Sequence, residues 1–238
     1  MGTTILQLAD IHLRADGREV YGHDPEHRLT RVLEACRREL AGVDLVVLSG
    51  DQCDDGEPAA LARVRQLLDR MGAPVLAIPG NHDGAGVQRA CFGDWTPVEL
   101  GGWRVVGLDS SIAGEIQGSI DVAAVESLLD ARDSRPTLLA VHHPPVAPTS
   151  HPWFGLEHAA RLLSSLAARP HVRAVLSGHV HHAFSLACGS LQLLGGPSTL
   201  ASFRFDGAEL TVDAGGPVGA RAIFLGADGS LQSRLIEA

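Results

Sequence analysis

The chain has 238 residues, enough for one sizeable core, and its 45% apolar and 20% charged residues exclude a disordered protein. Its formal net charge is -9, and its 19 basic residues are all arginines without a basic run, which argues against a nucleic-acid polymer as partner. No stretch approaches roughly 18 continuous apolar residues and the N-terminal residues lack a signal-peptide pattern, so we expect a cytoplasmic protein without a membrane partner. The four irregularly spaced cysteines favour free thiols.

The first two-thirds of the sequence alternates between strand and helix patterns. Short apolar runs bounded by Gly or Pro predict strands, and apolar residues at helical spacing between them predict helices. The predicted strands span 5–9, 44–49, 74–78, 104–108, 137–141 and 172–176, and the predicted helices span 25–41, 57–71, 121–131 and 154–168. Because strands alternate with helices, we predict a largely parallel sheet flanked by helices.

From His181 onward the pattern changes to strand-like runs separated by Gly-rich turns. These runs span 183–187, 191–194, 200–205, 222–225 and 231–235. Short runs with such turns predict antiparallel strands. No fixed repeat and no convincing linker interrupts the chain, so we predict one domain over residues 1–238 with an α/β fold of two sheets.

Five clusters of polar residues each follow a predicted strand. The clusters are Asp10-Ile-His12, Gly50-Asp51-Gln-Cys-Asp54, Gly80-Asn81-His82-Asp83, His142-His143-Pro144 and Gly178-His179-Val-His181. Because the carboxyl ends of strands in an open α/β sheet meet at one edge, we expect these clusters to converge. A strand also places residues i and i+2 on one face, so Asp10 with His12 and His179 with His181 can each present two ligands. Carboxylates and imidazoles together suit zinc, manganese or iron.

Each cluster alone also fits an ordinary turn or a buried histidine, whereas five in this order do not. The order Asp-x-His, Gly-Asp-x-x-Asp, Gly-Asn-His-Asp, His, Gly-His-x-His resembles the signature of the calcineurin-like metallophosphoesterases, over residues 7–197. The resemblance implies an α/β fold, a four-layer αββα sandwich of two mixed sheets flanked by helices. It also implies a cofactor of two divalent or trivalent ions of manganese, iron or zinc.

The same resemblance assigns roles to individual residues. Asp10, His12 and His181 would bind the first metal, Asn81, His142 and His179 would bind the second, and Asp51 would bridge the two. His82 and Asp83 would be catalytic, with His82 beside the substrate phosphate and Asp83 orienting it, while Asp54 would support the site. Asp54 and Asp83 could each instead be a turn or helix-cap residue. For His143 we favour a packing or supporting role over metal binding.

The resemblance also implies a mechanism of hydrolysis. Two metals would lower the pKa of a shared water to give a hydroxide at neutral pH, and they would take the non-bridging phosphate oxygens. His82 would stabilise the phosphate or protonate the leaving oxygen. The sequence offers no covalent nucleophile, since the serines near strand ends lack the context of a Ser-His-Asp triad.

Further similarities, which are less specific than the metal-binding motifs, concern the substrate. Residues 8–14, 21–22, 142–145, 178–182 and 196–199 resemble bacterial class III cyclic-nucleotide phosphodiesterases, which implies a small phosphodiester such as 3',5'-cyclic AMP. His23, His151 and Trp153 are predicted to line the substrate site, the last two in a segment over 145–154, with loop packing as the alternative.

Other functions stay open at this point. A broad-specificity phosphodiesterase of glycerophosphodiester-like substrates and a phosphomonoesterase would share the same metal site. A non-catalytic scaffold on the same fold is disfavoured because every ligand position is filled. Relatives often form dimers, so the resemblance also allows a homodimer.

Overall fold

Two large β-sheets form the centre of the molecule, and the computed structural model describes residues 2–130, 133–147, 149, 151–206 and 209–238. The helices are α1 (Pro25–Glu39), α2 (Pro58–Leu68), α3 (Ala85–Phe92), α4 (Val122–Leu129) and α5 (Ala159–Ala167). The strands up to residue 141 are β1 (Thr3–Leu8), β2 (Leu45–Ser49), β3 (Val75–Ile78), β4 (Val98–Leu100), β5 (Trp103–Leu108), β6 (Gly118–Ser119) and β7 (Thr137–Val141). The later strands are β8 (Leu156–Glu157), β9 (Val172–Ser177), β10 (Phe184–Cys188), β11 (Leu191–Gly195), β12 (Ser202–Asp206), β13 (Glu209–Asp213), β14 (Gly219–Leu225) and β15 (Leu231–Glu237).

Both large sheets are mixed, as the resemblance implies. The five-stranded sheet has the order β15-β14-β1-β2-β3, in which β1, β2 and β3 are parallel and the β14-β15 hairpin joins antiparallel. The six-stranded sheet has the order β10-β11-β9-β7-β5-β4, with four parallel central strands and an antiparallel strand at each edge. Two small ribbons, β6-β8 and β12-β13, lie outside these sheets.

Three apolar layers hold the sheets and helices together as a four-layer αββα sandwich. The middle layer lies between the sheets and includes Ile5, Val47 and Trp103. One outer layer packs α1 and α2 on the five-stranded sheet, and the other packs α4 and α5 on the six-stranded sheet. Successive residues of a strand enter different layers, as Leu138 and Leu139 do, because they point to opposite faces. The predicted fold class is confirmed.

Local signals begin the helices near their predicted positions. Asp24 caps α1 by accepting a hydrogen bond from the N–H of His27 at 3.1 Å, and Pro25 occupies the first turn. Asp121 caps α4 in the same way through the N–H of Ala124. Among the described residues, no helix combines the length and the apolar character that a membrane crossing requires.

The helix predicted over 154–168 begins later than expected. Pro152–Phe154 form a 3-10 turn, and Leu156–Glu157 pair with β6, so α5 starts only at Ala159. His158 has a φ of 65°, a left-handed conformation that prevents the helix from extending toward the N-terminus. The misplaced start matters for function because the turn at 152–154 lies beside the candidate site.

The later part of the chain also departs from the predicted run of antiparallel strands. The pairs β10-β11, β12-β13 and β14-β15 are antiparallel, but β11 is parallel to β9 and joins the six-stranded sheet. The sequence pattern missed the short elements α3 and β4 and the two-residue strands β6 and β8. The helix predicted over 121–131 corresponds to α4, and its predicted last residue, Ala131, lies outside the described residues.

Candidate active site

The seven predicted metal ligands lie together where strands of both large sheets end. Asp10 and His12 follow β1, Asp51 follows β2, Asn81 follows β3, His142 follows β7, and His179 and His181 follow β9. The strands β1, β2 and β3 belong to one sheet, whereas β7 and β9 belong to the other. The cluster therefore spans the two sheets and not the single sheet edge that the sequence analysis expected.

Short distances connect the polar atoms of this cluster. Nε2 of His12 lies 3.0 Å from Nε2 of His181. Nε2 of His142 lies 3.2 Å from Oδ1 of Asn81 and 3.3 Å from Oδ2 of Asp51. The same Oδ2 lies 3.7 Å from Nε2 of His12. Asp51 thus stands between two groups of side chains, which is the position that a bridging ligand requires.

Five of the seven residues have a left-handed backbone. Their φ angles are 52° at Asp10, 51° at His12, 52° at Asp51, 70° at His179 and 48° at His181. Such angles are uncommon outside glycine and cost about 1–3 kcal/mol each, so the surrounding structure must hold them. Because β1 ends at Leu8 and β9 ends at Ser177, strand alternation does not aim these side chains. That part of the prediction is wrong, since left-handed turns after the strands do so.

Each of the four histidines in the cluster has one ring nitrogen that is hydrogen-bonded to an oxygen outside the cluster. The contacts are Nδ1 of His12 to Oδ1 of Asp54 at 3.2 Å, Nδ1 of His142 to the carbonyl of Ser49 at 2.8 Å, Nδ1 of His181 to the carbonyl of Ala201 at 2.9 Å, and Nε2 of His179 to the carbonyl of Trp153 at 2.9 Å. Carbonyl and carboxylate oxygens only accept, so the bound nitrogen carries the hydrogen. The other nitrogen is left within the cluster and can bind a metal ion when it carries no hydrogen, which is the arrangement of metal-binding histidines.

The charges in the cluster also fit bound cations. Oδ2 of Asp10 is buried and has no hydrogen-bond partner in the described part of the chain, and burial raises the pKa of this carboxyl to about 7. Burial lowers the pKa of His142, but the charge of Asp51 outweighs this and raises it to about 9. Burial lowers the pKa of His179 to about 3 and holds that of His181 well below its usual value. The lowered pKa values keep the rings of His179 and His181 neutral, and together with the crowded carboxylates these rings form a donor set that metal ions would satisfy.

His82 differs from the predicted ligands in exposure. Its side chain is 35% exposed, whereas those of His12 and His142 are 2% and 0% exposed. Nδ1 of His82 donates to the main-chain carbonyl of Asp54 at 3.1 Å and lies 3.6 Å from that residue's carboxylate. The ring of His82 is therefore oriented by Asp54 and remains accessible to a small molecule.

The prediction that Asp83 orients His82 is wrong. The Asp83 carboxylate is fully buried, and its two oxygens accept hydrogen bonds from the main-chain N–H groups of Cys53 at 2.9 Å and Gly80 at 2.8 Å. Asp83 therefore connects the loops that follow β2 and β3. The sequence could not show which of Asp54 and Asp83 orients His82, because each is an aspartate in a polar cluster that follows a strand.

His143 lies beside two predicted ligands, but both of its ring nitrogens are engaged. Its ring centroid is 4.9 Å from that of His142 and 4.4 Å from that of His179. Nδ1 lies 2.8 Å from Oγ of Ser110, and Nε2 donates to the carbonyl of Ile116 at 2.9 Å. The atoms of His142, His143 and His179 lie close enough to hold a metal ion, but the engagement of both His143 nitrogens favours packing or support for this ring.

A cleft of about 390 Å³ opens beside the cluster. The lining combines His12, Asp51, Asn81, His82, His179 and His181 with Tyr21, Gly114, Glu115, Ile116, Trp153, Phe154 and Phe203. Of the three predicted substrate residues, Trp153 is present in this lining and is 44% exposed. His23 and His151 are not among the lining residues. Arg28 donates to His23 at 3.1 Å, and Nδ1 of His151 accepts from the N–H of Trp153 at 3.3 Å, so both fit the alternative of loop packing.

Comparison with known proteins identifies the family. Residues 3–183 match the family model described as calcineurin-like phosphoesterase. The chain belongs to this family. The 3',5'-cyclic adenosine monophosphate phosphodiesterase CpdA of Pseudomonas aeruginosa is 37% identical over 240 residues, which cover 96% of this chain and 88% of the relative. A cAMP/cGMP dual specificity phosphodiesterase of Mycobacterium tuberculosis is 31% identical over 234 residues, which cover 90% of this chain and 71% of the relative.

A solved structure shares the fold of this phosphoesterase. A dimetal phosphatase from Danio rerio superimposes with a TM-score of 0.65, at 16% identity, and the match covers 99% of this chain and 98% of the other. At that identity the similarity concerns the fold alone. The family and the close relatives make this chain a metal-dependent hydrolase of phosphoric esters.

Sequence reasoning missed part of the cleft of this phosphoesterase. Phe203 stacks on the ring of His181, with centroids 4.1 Å apart and planes 6° apart, and Tyr21 contacts both rings edge-on. Phe203 lies on β12, outside the five polar clusters, so none of those clusters marks it. Of the segment predicted over 145–154, Pro148 and Ser150 lie outside the described residues.

Proposed function

We propose that this phosphoesterase hydrolyses a small phosphodiester, with 3',5'-cyclic AMP or another cyclic nucleotide as substrate. The observation that carries the proposal is the convergence of buried carboxylates, an amide and imidazoles, together with the accessible His82, on one cleft of about 390 Å³. That volume lies in the range of about 300–1,000 Å³ that is typical of small-molecule sites. The names of the two relatives described above support a cyclic nucleotide.

Two metal ions complete the proposed site. We assign Asp10, His12 and His181 to one ion, Asn81, His142 and His179 to the other, and Asp51 to both. The outward hydrogen bonds of the four rings support this set. Mixed oxygen and nitrogen donors suit manganese, iron and zinc alike. When bound, the ions would supply the Lewis-acid charge that lowers the pKa of water and neutralises phosphate oxygens.

The side chains of the cleft supply orientation and a proton. The His82 ring is exposed to the cleft while the Asp54 carbonyl accepts from its Nδ1, so the doubly protonated ring can donate the hydrogen on Nε2 to an ester oxygen as the bond to the leaving group breaks. Acid assistance of this kind contributes about 100- to 10,000-fold. Trp153 and Tyr21 offer exposed aromatic faces in the same lining. Stacking on such a ring is worth about 1–3 kcal/mol per base.

Hydrolysis by the purified protein tests the proposal. The protein is loaded with manganese, and kcat/KM is measured for cyclic AMP, cyclic GMP, bis-p-nitrophenyl phosphate and p-nitrophenyl phosphate, each with a chelator control. We expect chelator-sensitive cleavage, with a cyclic nucleotide as the best substrate. The Asn81→Ala variant serves as a matched control for metal dependence, because it lacks one proposed ligand.

The outcomes separate the proposed function from its alternatives. Cleavage of the artificial diester without cleavage of cyclic nucleotides would retain the phosphodiesterase and reject the cyclic nucleotide. Faster cleavage of the monoester than of either diester would reject the phosphodiesterase. The absence of any activity from protein that carries two metals would favour a scaffold on the same fold.

A further inference from the structure

One wall of the cleft is a loop over residues 110–119, called here the cleft loop. Its two ends meet, because the N–H of Ser119 donates to the carbonyl of Ser110 at 3.0 Å. Its tip contributes Gly114, Glu115 and Ile116 to the cleft lining. A compact surface loop with close ends is an Ω-loop, and such loops are normally packed by their own side chains.

The cleft loop is packed instead by His143, which comes from the end of β7. The ring lies 2.8 Å from Oγ of Ser110 at the start of the loop and donates to the carbonyl of Ile116 at the tip. At the end of the loop, a Cβ built on Gly118 would lie 2.3 Å from Nδ1 of this ring, so only glycine allows the approach. One buried side chain therefore contacts the beginning, the tip and the end of the loop.

The hydrogen bonds of this ring define its tautomer. The carbonyl of Ile116 can only accept, so Nε2 of His143 carries a hydrogen. Oγ of Ser110 accepts from the main-chain N–H of His143 at 3.3 Å, which leaves its own hydrogen to donate to Nδ1. Both nitrogens of the neutral ring are thus hydrogen-bonded in one loop conformation, and removing the ring would take a partner from the buried hydroxyl of Ser110 and from the partly buried carbonyl of Ile116.

The cleft loop is also tied to the turn that carries Trp153. The N–H of Gly118 donates to the carbonyl of Gly155 at 3.0 Å, and Nε2 of Gln117 donates to the carbonyl of Pro152 at 3.2 Å. Two walls of the cleft are therefore held as one unit, with His143 at its centre. The ring itself does not line the cleft, so its effect on a bound molecule passes through this unit.

We propose that His143 is a positioning residue that holds the cleft loop, and with it Glu115 and Ile116, in the shape that selects the substrate. The inference rests on the proposed phosphodiesterase function. Glu115 is exposed at the cleft, and its carboxylate repels additional negative charge while accepting hydrogen bonds from hydroxyl or amino groups. A loop in this position favours a singly charged diester of a nucleoside over a doubly charged monoester.

Two amide variants of His143 test this role. The amide nitrogen of His143→Gln reaches approximately as far as Nε2 and can still donate to Ile116, whereas that of His143→Asn reaches only as far as Nδ1. We expect His143→Asn to raise KM for the diester about tenfold, the loss that corresponds to about 1.4 kcal/mol, and to reduce the preference for diester over monoester. Because the effect is on binding, kcat and metal content should be retained, and His143→Gln should restore most of the affinity.

Hydrogen exchange provides a readout that does not need activity. The amides of the cleft loop should exchange faster in His143→Asn than in His143→Gln, while His171→Asn, a matched change outside the cleft, should leave them unchanged. Equal exchange and equal KM in the two variants would overturn the proposal. Loss of bound metal with a lower kcat would overturn it as well, because His143 would then support its neighbours His142 and His179. A wild-type protein that cleaves no diester would reject the proposed function, while the exchange experiment would still decide the role of His143.

Discussion

The carboxylate of Asp54 contacts two histidines that have different proposed roles. Oδ1 lies 3.2 Å from Nδ1 of His12, and Oδ2 accepts from Nη1 of Arg14 at 3.0 Å. The hydrogen bond with His12 is the main cause that lowers the pKa of Asp54, so the group is charged at neutral pH. Its main-chain carbonyl holds the ring of His82. Asp54 therefore orients a proposed ligand and a proposed proton donor together.

Replacing this carboxylate should weaken metal binding. We expect Asp54→Asn to lower the affinity for manganese about 10- to 100-fold, because His12 loses the charged acceptor that fixes its ring. Isothermal titration of the metal-free protein measures the change. Asp55→Asn is the matched control, since Asp55 accepts only from main-chain N–H groups of Ala15 and Glu57 in the described structure. Equal affinities of the two variants would contradict the role of Asp54.

Replacing Asn81 and replacing its neighbour His82 should have different effects on metal content and on kcat. Asn81→Ala removes a proposed ligand, so we expect less bound metal and a severe loss of turnover. His82→Ala should retain both metals while kcat falls by about 100- to 10,000-fold, because only proton donation is lost. Metal content by mass spectrometry and kcat are measured on the same preparations. If His82→Ala emptied the site, the division between ligand and catalyst would be mistaken.

The turns that follow the strands determine where the ligands point. Gly50 lies between β2 and Asp51 with a φ of 97°, and a Cβ built there would lie 2.1 Å from Nδ1 of His142. That nitrogen contacts the carbonyl of Ser49 at 2.8 Å. The turn after a strand of one sheet therefore packs directly against a ligand from the other sheet, and no side chain fits between them.

Gly50→Ala should consequently damage both folding and metal binding. We expect the free energy of unfolding to fall by at least about 2 kcal/mol, since a crowded Cβ and a left-handed backbone both add cost. Urea denaturation measures the change, and titration with manganese should show a weaker site. Gly42→Ala is the control, because a Cβ there meets nothing within 4 Å. A stability equal to that of the control would show that the turn can relax.

The candidate site joins the two sheets of the whole molecule. Asp10 and Asp51 follow strands of the five-stranded sheet, whereas His142 and His179 follow strands of the six-stranded sheet. All four side chains are buried, and Oδ2 of Asp10 is one of the buried acceptors without a partner among the described residues. Cations bound here would link the sheets and offset the cost of burying these charges.

Metal removal should therefore lower the stability of the entire fold. An ion present at 100 times its Kd adds about 2.7 kcal/mol to the folded state, which for a chain of this size corresponds to a rise in Tm of about 5–10 °C. Thermal unfolding with increasing manganese and then with chelator measures the effect. We expect a smaller rise for Asn81→Ala. An unchanged Tm of protein that demonstrably binds metal would contradict the linkage.

The amino-acid sequence determined the strands, most helices and the members of the cluster. Short apolar runs that end at Gly or Pro identify β2 and β3, because burial on both faces favours continuous apolar residues. The order of five polar motifs was specific enough to indicate the family, which the comparisons confirm. The single domain, the metal ligands and the homodimer stay predictions.

Tertiary structure alone decided how the cluster is arranged. The left-handed turns, the burial of Asp83, the contact of Asp54 with His82 and the packing of the cleft loop on His143 all depend on residues from distant parts of the chain. Trp153 reaches the cleft while His151 does not, although both lie in one short segment. Local pattern identifies which residue types follow a strand, but the direction of each side chain is set by the turns after the strands and by contacts between distant parts of the chain, which no local pattern contains.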